Sequence, residues 1–233
     1  MTVLYVLDLA GTLVFAMSGA LRAARHRLDL LGVLVLATAT GIGGGLIRDA
    51  LLGATPAAAL QDEAYLLVCI AGAVLVMLAA SRVQAQWDLV RYADAIGLGV
   101  FAAMGAAKAT LFGLGPFGVM MMAALTATGG GVIRDVLVRE VPAVVRNDFY
   151  ATAALLGGAA YALALAAGLS PNAALAAAAV VTSGLRILAM ALDLQLPRLH
   201  IGPRRSDPGN AYSPEQASPG QSSPRQPSSE HGA

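Results

Sequence analysis

Apolar stretches long enough to cross a lipid bilayer recur along this chain, and they leave few folds open to it. A hydrocarbon core roughly 30 Å thick is crossed by about 20 apolar residues in helical conformation. Inside it every backbone amide and carbonyl needs a partner within the protein, so spanning segments are restricted to helices or closed barrels. The runs place helices near residues 3–21, 28–53, 65–80, 92–110, 116–139, 150–168 and 173–192. Composition agrees: 57% of the 233 residues are hydrophobic and 12% charged, unlike a soluble domain. The expected fold is an all-α integral membrane protein of seven transmembrane helices. The opening MTVLYVLDLAGTL has no basic n-region and carries Asp8, so it reads as a first span and not as a cleaved signal peptide.

Beyond Pro197 the chain turns to Pro, Ser, Gln, Gly and Arg, a mixture that cannot bury enough apolar surface to fold. The expected organisation is a transmembrane domain over 1–199 and a disordered tail over 200–233. Seven spans put the loops between spans one and two, three and four, and five and six on the same side as the tail. That side carries Arg22, Arg25, Arg27, Arg82, Arg91, Arg134, Arg139, Arg146, Arg198, Arg204, Arg205 and Arg225, and the other only Arg48 and Lys108. Short cytoplasmic loops collect basic residues, so the N-terminus is expected outside and the tail in the cytoplasm of a bacterial inner-membrane protein. The net charge of +1 and the scatter of the basic residues argue against nucleic acid as a partner.

The chain also repeats itself at an offset of 86 residues. Residues 8–24 align with 94–110, pairing Asp8 with Asp94, Gly11 with Gly97, Phe15 with Phe101, Gly19 with Gly105 and Arg22 with Lys108. Residues 38–56 align with 124–142, where Gly43, Gly44, Gly45, Ile47, Arg48, Asp49, Leu51 and Pro56 meet identical residues. Polar and glycine positions carry the match, so it does not follow from richness in Ala and Leu. The repeats run from about 3 to 85 and 89 to 170, with the helix near 173–192 outside them. Three spans per copy is an odd number, so the second copy is expected to enter the membrane from the opposite side. Inverted repeats with paired interrupted helices near the midplane are a common plan of transport proteins.

Gly43, Gly44 and Gly45, and their counterparts Gly129, Gly130 and Gly131, each weaken a helix by about 1 kcal/mol relative to Ala. The expected result is a bend or local unwinding, with freed carbonyls that could replace part of a cation's hydration shell. A second reading is that the glycines only let helices approach closely. Their recurrence at equivalent places, each followed by Arg-Asp, favours a pathway. Arg48, Asp49, Arg134 and Asp135 lie a turn or so beyond the triplets. A charge at membrane depth costs about 2.5–3.5 kcal/mol on insertion scales, so each should face a partner or water. Arg134, on the basic side, could instead snorkel to the interface. Asp8 and Asp94 are expected either to favour a helix N-terminus or to line a vestibule with Lys108. Arg186, within the seventh span, is expected to pair with a carboxylate or approach the cytoplasmic face.

Enzymatic chemistry is poorly served. His26 falls in a loop, and His200 and His231 fall in the tail, so no histidine within a span is available as base or ligand. Ser18 and Ser183 have no neighbouring His, and the glycine triplets lack the Lys-Ser/Thr of a phosphate loop. Cys69 is single, which excludes an intrachain disulfide and a cysteine metal cluster. No enzyme activity, cofactor or structural metal is expected.

At GGGLIRD (43–49) and GGGVIRD (129–135) the chain resembles the prokaryotic trimeric intracellular cation (TRIC) channel family, whose repeat is also catalogued under a glycine-transporter name. LRILAMALDLQLP (185–197) is similar to that family's last helix with its closing Leu-Pro. The resemblance covers residues 3 to about 199. It implies seven helices, a homotrimer with a pore in each protomer, and passive permeation of potassium and other monovalent cations. By the same resemblance the pore is lined by spans two and five at Gly43, Gly44, Gly45, Gly129, Gly130 and Gly131, with Arg48, Asp49, Arg134 and Asp135 as the nearby charges. The Lys-containing motif that animal members carry in the fifth span is missing, so their lipid and calcium regulation is not carried over. Each Arg is expected to be neutralised by an Asp or to act as a movable gate. A secondary transporter of a small solute such as glycine is the alternative, because inverted repeats serve alternating access equally well.

Overall fold

A computed structural model describes residues 2–83, 87–146 and 149–192; the expected disordered tail lies outside the described residues. These fold as helices: α1 (Thr2–Arg25), α2 (Leu30–Leu52), α3 (Ala58–Gln61), α4 (Glu63–Val83), α5 (Trp87–Leu111), α6 (Pro116–Leu137), α7 (Ala143–Arg146), α8 (Ala151–Ala166) and α9 (Pro171–Ala191). Seven correspond to the apolar runs. Of these α1, α2, α5, α6 and α9 are long and apolar enough to cross a bilayer, while the apolar part of α4 and α8 are shorter. At 16 residues, α8 reaches about 24 Å.

Helix boundaries follow local chemistry. Asp29 caps α2 by accepting from the Gly32 amide at 2.7 Å, satisfying one of the donors a helix start leaves open. Gly53, in the left-handed region at φ 70°, ends the helix. Pro171 at the first position and Ser170 as cap begin α9. The apolar run near 92–110 understates α5, which begins at Trp87.

The packing is matched between the two repeats. Helix α1 lies against α2 and α4 as α5 lies against α6 and α8, and α4 touches α2 as α8 touches α6. The two sets meet through α1 against α5 and α2 against α6, and α9 packs on α5 and α8. Phe15 and Phe101, equivalent at the offset, stack on each other with ring centroids 5.0 Å apart and close the core where α1 meets α5. A Cβ on Gly11 would meet Phe101, and one on Gly97 would meet Phe15. Rising numbers on α1 thus pair with falling numbers on α5, so these helices run antiparallel.

The local unwinding expected at the glycine triplets is absent. Helix α2 is continuous from Leu30 to Leu52 and α6 from Pro116 to Leu137. The reason lies in what the glycines touch. A Cβ on Gly44 would collide with the Thr126 carbonyl, and one on Gly130 with the Thr40 carbonyl. One on Gly43 would press on Ile133, and one on Gly129 on Ile47. The two helices cross antiparallel at these four glycines with their backbones nearly touching. Packing across the crossing, as small residues provide between membrane helices, offsets the loss of helix propensity.

Candidate functional site

The charges beyond the crossing gather into two buried clusters. In the first, Arg48 and Asp49 near the end of α2 are 2% and 1% exposed. Arg48 Nε donates to Asp49 Oδ1 at 2.8 Å, and Nη2 reaches Asp8 Oδ2 of α1 at 3.4 Å. The Tyr65 hydroxyl of α4 donates to the same Asp8 oxygen at 2.9 Å. Lys108 Nζ, from α5 of the other repeat, donates to Asp49 Oδ1 at 2.7 Å. The second Asp49 oxygen accepts the Ala58 amide at 3.0 Å and so anchors the start of α3.

The second cluster repeats this arrangement. Arg134 Nε donates to Asp135 Oδ1 at 2.9 Å, and Nη1 donates to Asp94 Oδ1 of α5 at 2.9 Å. The Tyr150 hydroxyl donates to Asp94 Oδ2 at 2.9 Å, and the Ala143 amide at the start of α7 donates to Asp135 Oδ2 at 2.9 Å. Arg22, from α1 of the other repeat, stands where Lys108 stands in the first cluster, with Nη2 3.9 Å from Asp135 Oδ1. Each cluster is thus built by one repeat and completed by a cation from the other.

Three features belong to the second cluster alone. Ser18 Oγ accepts from Arg134 Nη1 at 2.6 Å. The Arg186 guanidinium lies over the Tyr150 ring at 5.0 Å from its centroid, a favourable cation–π placement. Glu140, past the end of α6, binds Arg22 Nη1 at 2.5 Å and meets His26 Nε2 at 2.8 Å. Burial alone would raise the Glu140 carboxyl; the His26 hydrogen bond and the Arg22 charge outweigh it and hold the group below its ordinary range.

The structure places each of the residues singled out in the sequence. Asp8 and Asp94 lie well inside α1 and α5, so they are ion-pair partners of the arginines and not N-terminal residues. Arg134 is 3% exposed and does not snorkel. Lys108 and Arg186 both join clusters. Gly43, Gly44, Gly129 and Gly130 sit in the α2–α6 contact, whereas a Cβ on Gly45 would face Arg48 and one on Gly131 would face Tyr150 and Arg134. Tyr65 and Tyr150 escape the sequence reading because their separation is 85 residues and not 86; one residue fewer in the connecting turn hides the match. Arg22 was legible as the counterpart of Lys108, but its role was not. Among the described residues no group of three or more His, Cys, Asp or Glu could hold a metal ion.

The family model described as "Glycine transporter" matches the chain twice, over residues 5–81 and 91–166. The chain also aligns with a crystal structure of the TRIC trimeric intracellular cation channel orthologue from Rhodobacter sphaeroides, at 38% identity and a TM-score of 0.79, covering 83% of this chain and 100% of that one. The chain belongs to the TRIC family. A second solved member, described under the structural basis for conductance through TRIC cation channels, is 39% identical with a TM-score of 0.79, covering 85% of this chain and 98% of that one. Among curated relatives, the UPF0126 membrane protein of Vibrio cholerae is 43% identical over 197 residues, 84% of this chain and 82% of its own. The UPF0126 inner membrane protein YadS of Escherichia coli K12 is 40% identical over 196 residues, 83% of this chain and 94% of its own. With these TRIC relatives and its apolar helices, the chain is a multi-pass inner-membrane protein. Two matches of a single model, displaced like the motifs, fit the repeat read from the sequence.

Proposed function

We propose that this protein is a potassium-permeable channel for monovalent cations, assembled as a homotrimer in the bilayer with a pore in each protomer. The observation that carries the reading is the pair of buried ion clusters flanking the antiparallel α2–α6 crossing, in a family whose solved members are described as cation channels. Seven spans in two inverted three-helix repeats plus α9 accommodate it, and the antiparallel pairings of α1 with α5 and α2 with α6 support that inversion. The basic loops argue for an N-terminus outside and a C-terminus in the cytoplasm.

The chemistry at the crossing favours passage of a cation only when an arginine withdraws. Desolvating an ion deep in the bilayer is costly unless fixed charges or dipoles replace its water. Asp8, Asp49, Asp94 and Asp135 supply four negative charges, but Arg48, Arg134, Lys108 and Arg22 neutralise them in the observed arrangement. Movement of one arginine from its aspartates would uncover carboxylates beside Gly45 or Gly131, where the missing side chains leave room. The ion path follows α2 and α6, with Gly45 and Gly131 as its glycine lining and the other four glycines holding the helices together.

The test is purified protein in planar bilayers under a potassium gradient, with radiolabelled glycine uptake into liposomes measured in parallel. Discrete currents reversing near the potassium potential are expected. Saturable glycine uptake without such currents would replace the channel with a carrier. A reporter fused to the C-terminus is expected to report from the cytoplasm, and activity outside would reverse the orientation.

A further inference from the structure

Arg48 and Arg134 are not held equally. Arg134 Nη1 has two protein acceptors, the Asp94 carboxylate and the Ser18 hydroxyl. Arg48 Nη1 is buried and has none, and the nearby Thr12 hydroxyl on α1, 1% exposed, also has no partner. Both residues line one small cavity with Asp8, Gly41, Gly45, Asp49 and Tyr65. The sequence explains the difference. Ser18 reaches from the first repeat into the second cluster, and the position 86 residues later, from which an equivalent group would reach the first cluster, is Met104. A thioether is only a weak acceptor. The remaining contact of Arg48 to Asp8, at 3.4 Å, is also longer than the 2.9 Å from Arg134 to Asp94.

A buried guanidinium nitrogen left without an acceptor is costly, because the group forfeits its hydration without replacement. A polar pocket with room for about one water meets that need when two or more protein groups can bind the guest. The guest must accept a hydrogen bond from Arg48 and can donate one to Thr12 or to Asp8. A cation is excluded by the guanidinium, and an anion is disfavoured by two carboxylates.

We propose that the cavity beside Gly45 is a single-water site bridging Arg48 Nη1 and Thr12 Oγ1, and that Arg48, held by an exchangeable water where Arg134 is held by Ser18, is the arm that moves. The second half of this inference rests on the channel reading; the first half does not. Ser18 is then a positioning residue that keeps Arg134 in place, and the two halves of the molecule divide the work into a fixed cluster and a releasable one.

The site is tested by a high-resolution crystal structure of the trimer with and without bromide. A water-sized peak within hydrogen-bond distance of Arg48 Nη1 and Thr12 Oγ1 is expected. An empty site, or an anomalous bromide peak there, overturns the water assignment. The moving arm is tested by rubidium efflux from liposomes. A Cβ at Gly45 would meet only Arg48 Nη2, at 3.6 Å, so both Gly45→Ser and Gly45→Ala fit, and only Ser adds an acceptor for the guanidinium. Efflux through G45S is expected to fall about tenfold below G45A, the worth of one hydrogen bond to a charged group. Ser18→Ala is expected to raise efflux and Ser18→Thr to restore it. Equal efflux through G45S and G45A overturns Arg48 as the moving arm. Absence of efflux from the unsubstituted protein overturns the channel reading instead, with the crystallographic result standing on its own.

Discussion

The two ion clusters share a plan and differ in how completely it is carried out. Both pair an arginine with the next aspartate, a second aspartate, a tyrosine hydroxyl and a cation from the other repeat. The second adds Ser18, Arg186 over Tyr150, and the Glu140–His26 contact on Arg22. The repeat supplies the shared frame, and a difference such as Ser18 against Met104 gives one arginine an acceptor that the other lacks. A fully satisfied buried network rigidifies its surroundings, and a partly satisfied one is the natural place for movement.

The largest test of this asymmetry removes each arginine. Arg134→Ala leaves Asp94 and Asp135 buried without their main partner and is expected to cost about 3–5 kcal/mol, the usual penalty for breaking a buried ion pair. Arg48→Ala is expected to cost less, because Lys108 still reaches Asp49 and one unsatisfied nitrogen is removed. Thermal unfolding of the purified protein checks the ranking, and equal losses would dissolve the distinction between the clusters. Gly44→Leu and Gly130→Leu sharpen it from the other side. Each drives a side chain into the facing carbonyl of Thr126 or Thr40, so the two should destabilise alike, by about 1–3 kcal/mol or more. A large difference between them would mean that the asymmetry extends to the crossing.

Smaller effects come from the tyrosines. Tyr150→Phe and Tyr65→Phe each remove a hydrogen bond to a carboxylate, worth about 1.5–3 kcal/mol. Both variants keep the ring, so Arg186 still lies over residue 150 and the two should cost about the same in thermal unfolding; a clear difference would place the asymmetry at the tyrosines as well. The smallest expected effect concerns pH. The Glu140 carboxyl is held below its ordinary range, so its contribution is present above that range and is lost as pH falls through its lowered value. Glu140→Gln should flatten the acid side of the stability profile measured in detergent. An unchanged profile would show that Glu140 does not fasten Arg22.

Much of this frame was legible before any coordinates. The helices α1, α2, α4, α5, α6, α8 and α9 follow the apolar runs, because lipid leaves a long apolar segment almost no other way to satisfy its backbone. The short helices α3 and α7 were not legible. Each begins on an amide bound by Asp49 or Asp135, eight or nine residues earlier, so no capping residue announces it locally. The glycine triplets are legible in the sequence and the continuity of their helices is not: propensity alone predicts a weakened helix, and the facing backbone that compensates belongs to a helix 86 residues away.

The sequence by itself determined a membrane protein of apolar helices, duplicated at a fixed offset, with glycine triplets and Arg-Asp pairs in corresponding places. Hydropathy and repetition are properties of the chain read in order, and they survive without a fold. Only the tertiary structure decided that Lys108 completes the cluster of Asp49, that Arg22 stands beside Asp135, that the two tyrosines hold Asp8 and Asp94, and that Arg48 lacks the acceptor that Ser18 gives Arg134. Those partners lie from 56 to 116 residues apart along the chain. A buried charge requires an opposite one, but which residue meets it is fixed by how the helices pack.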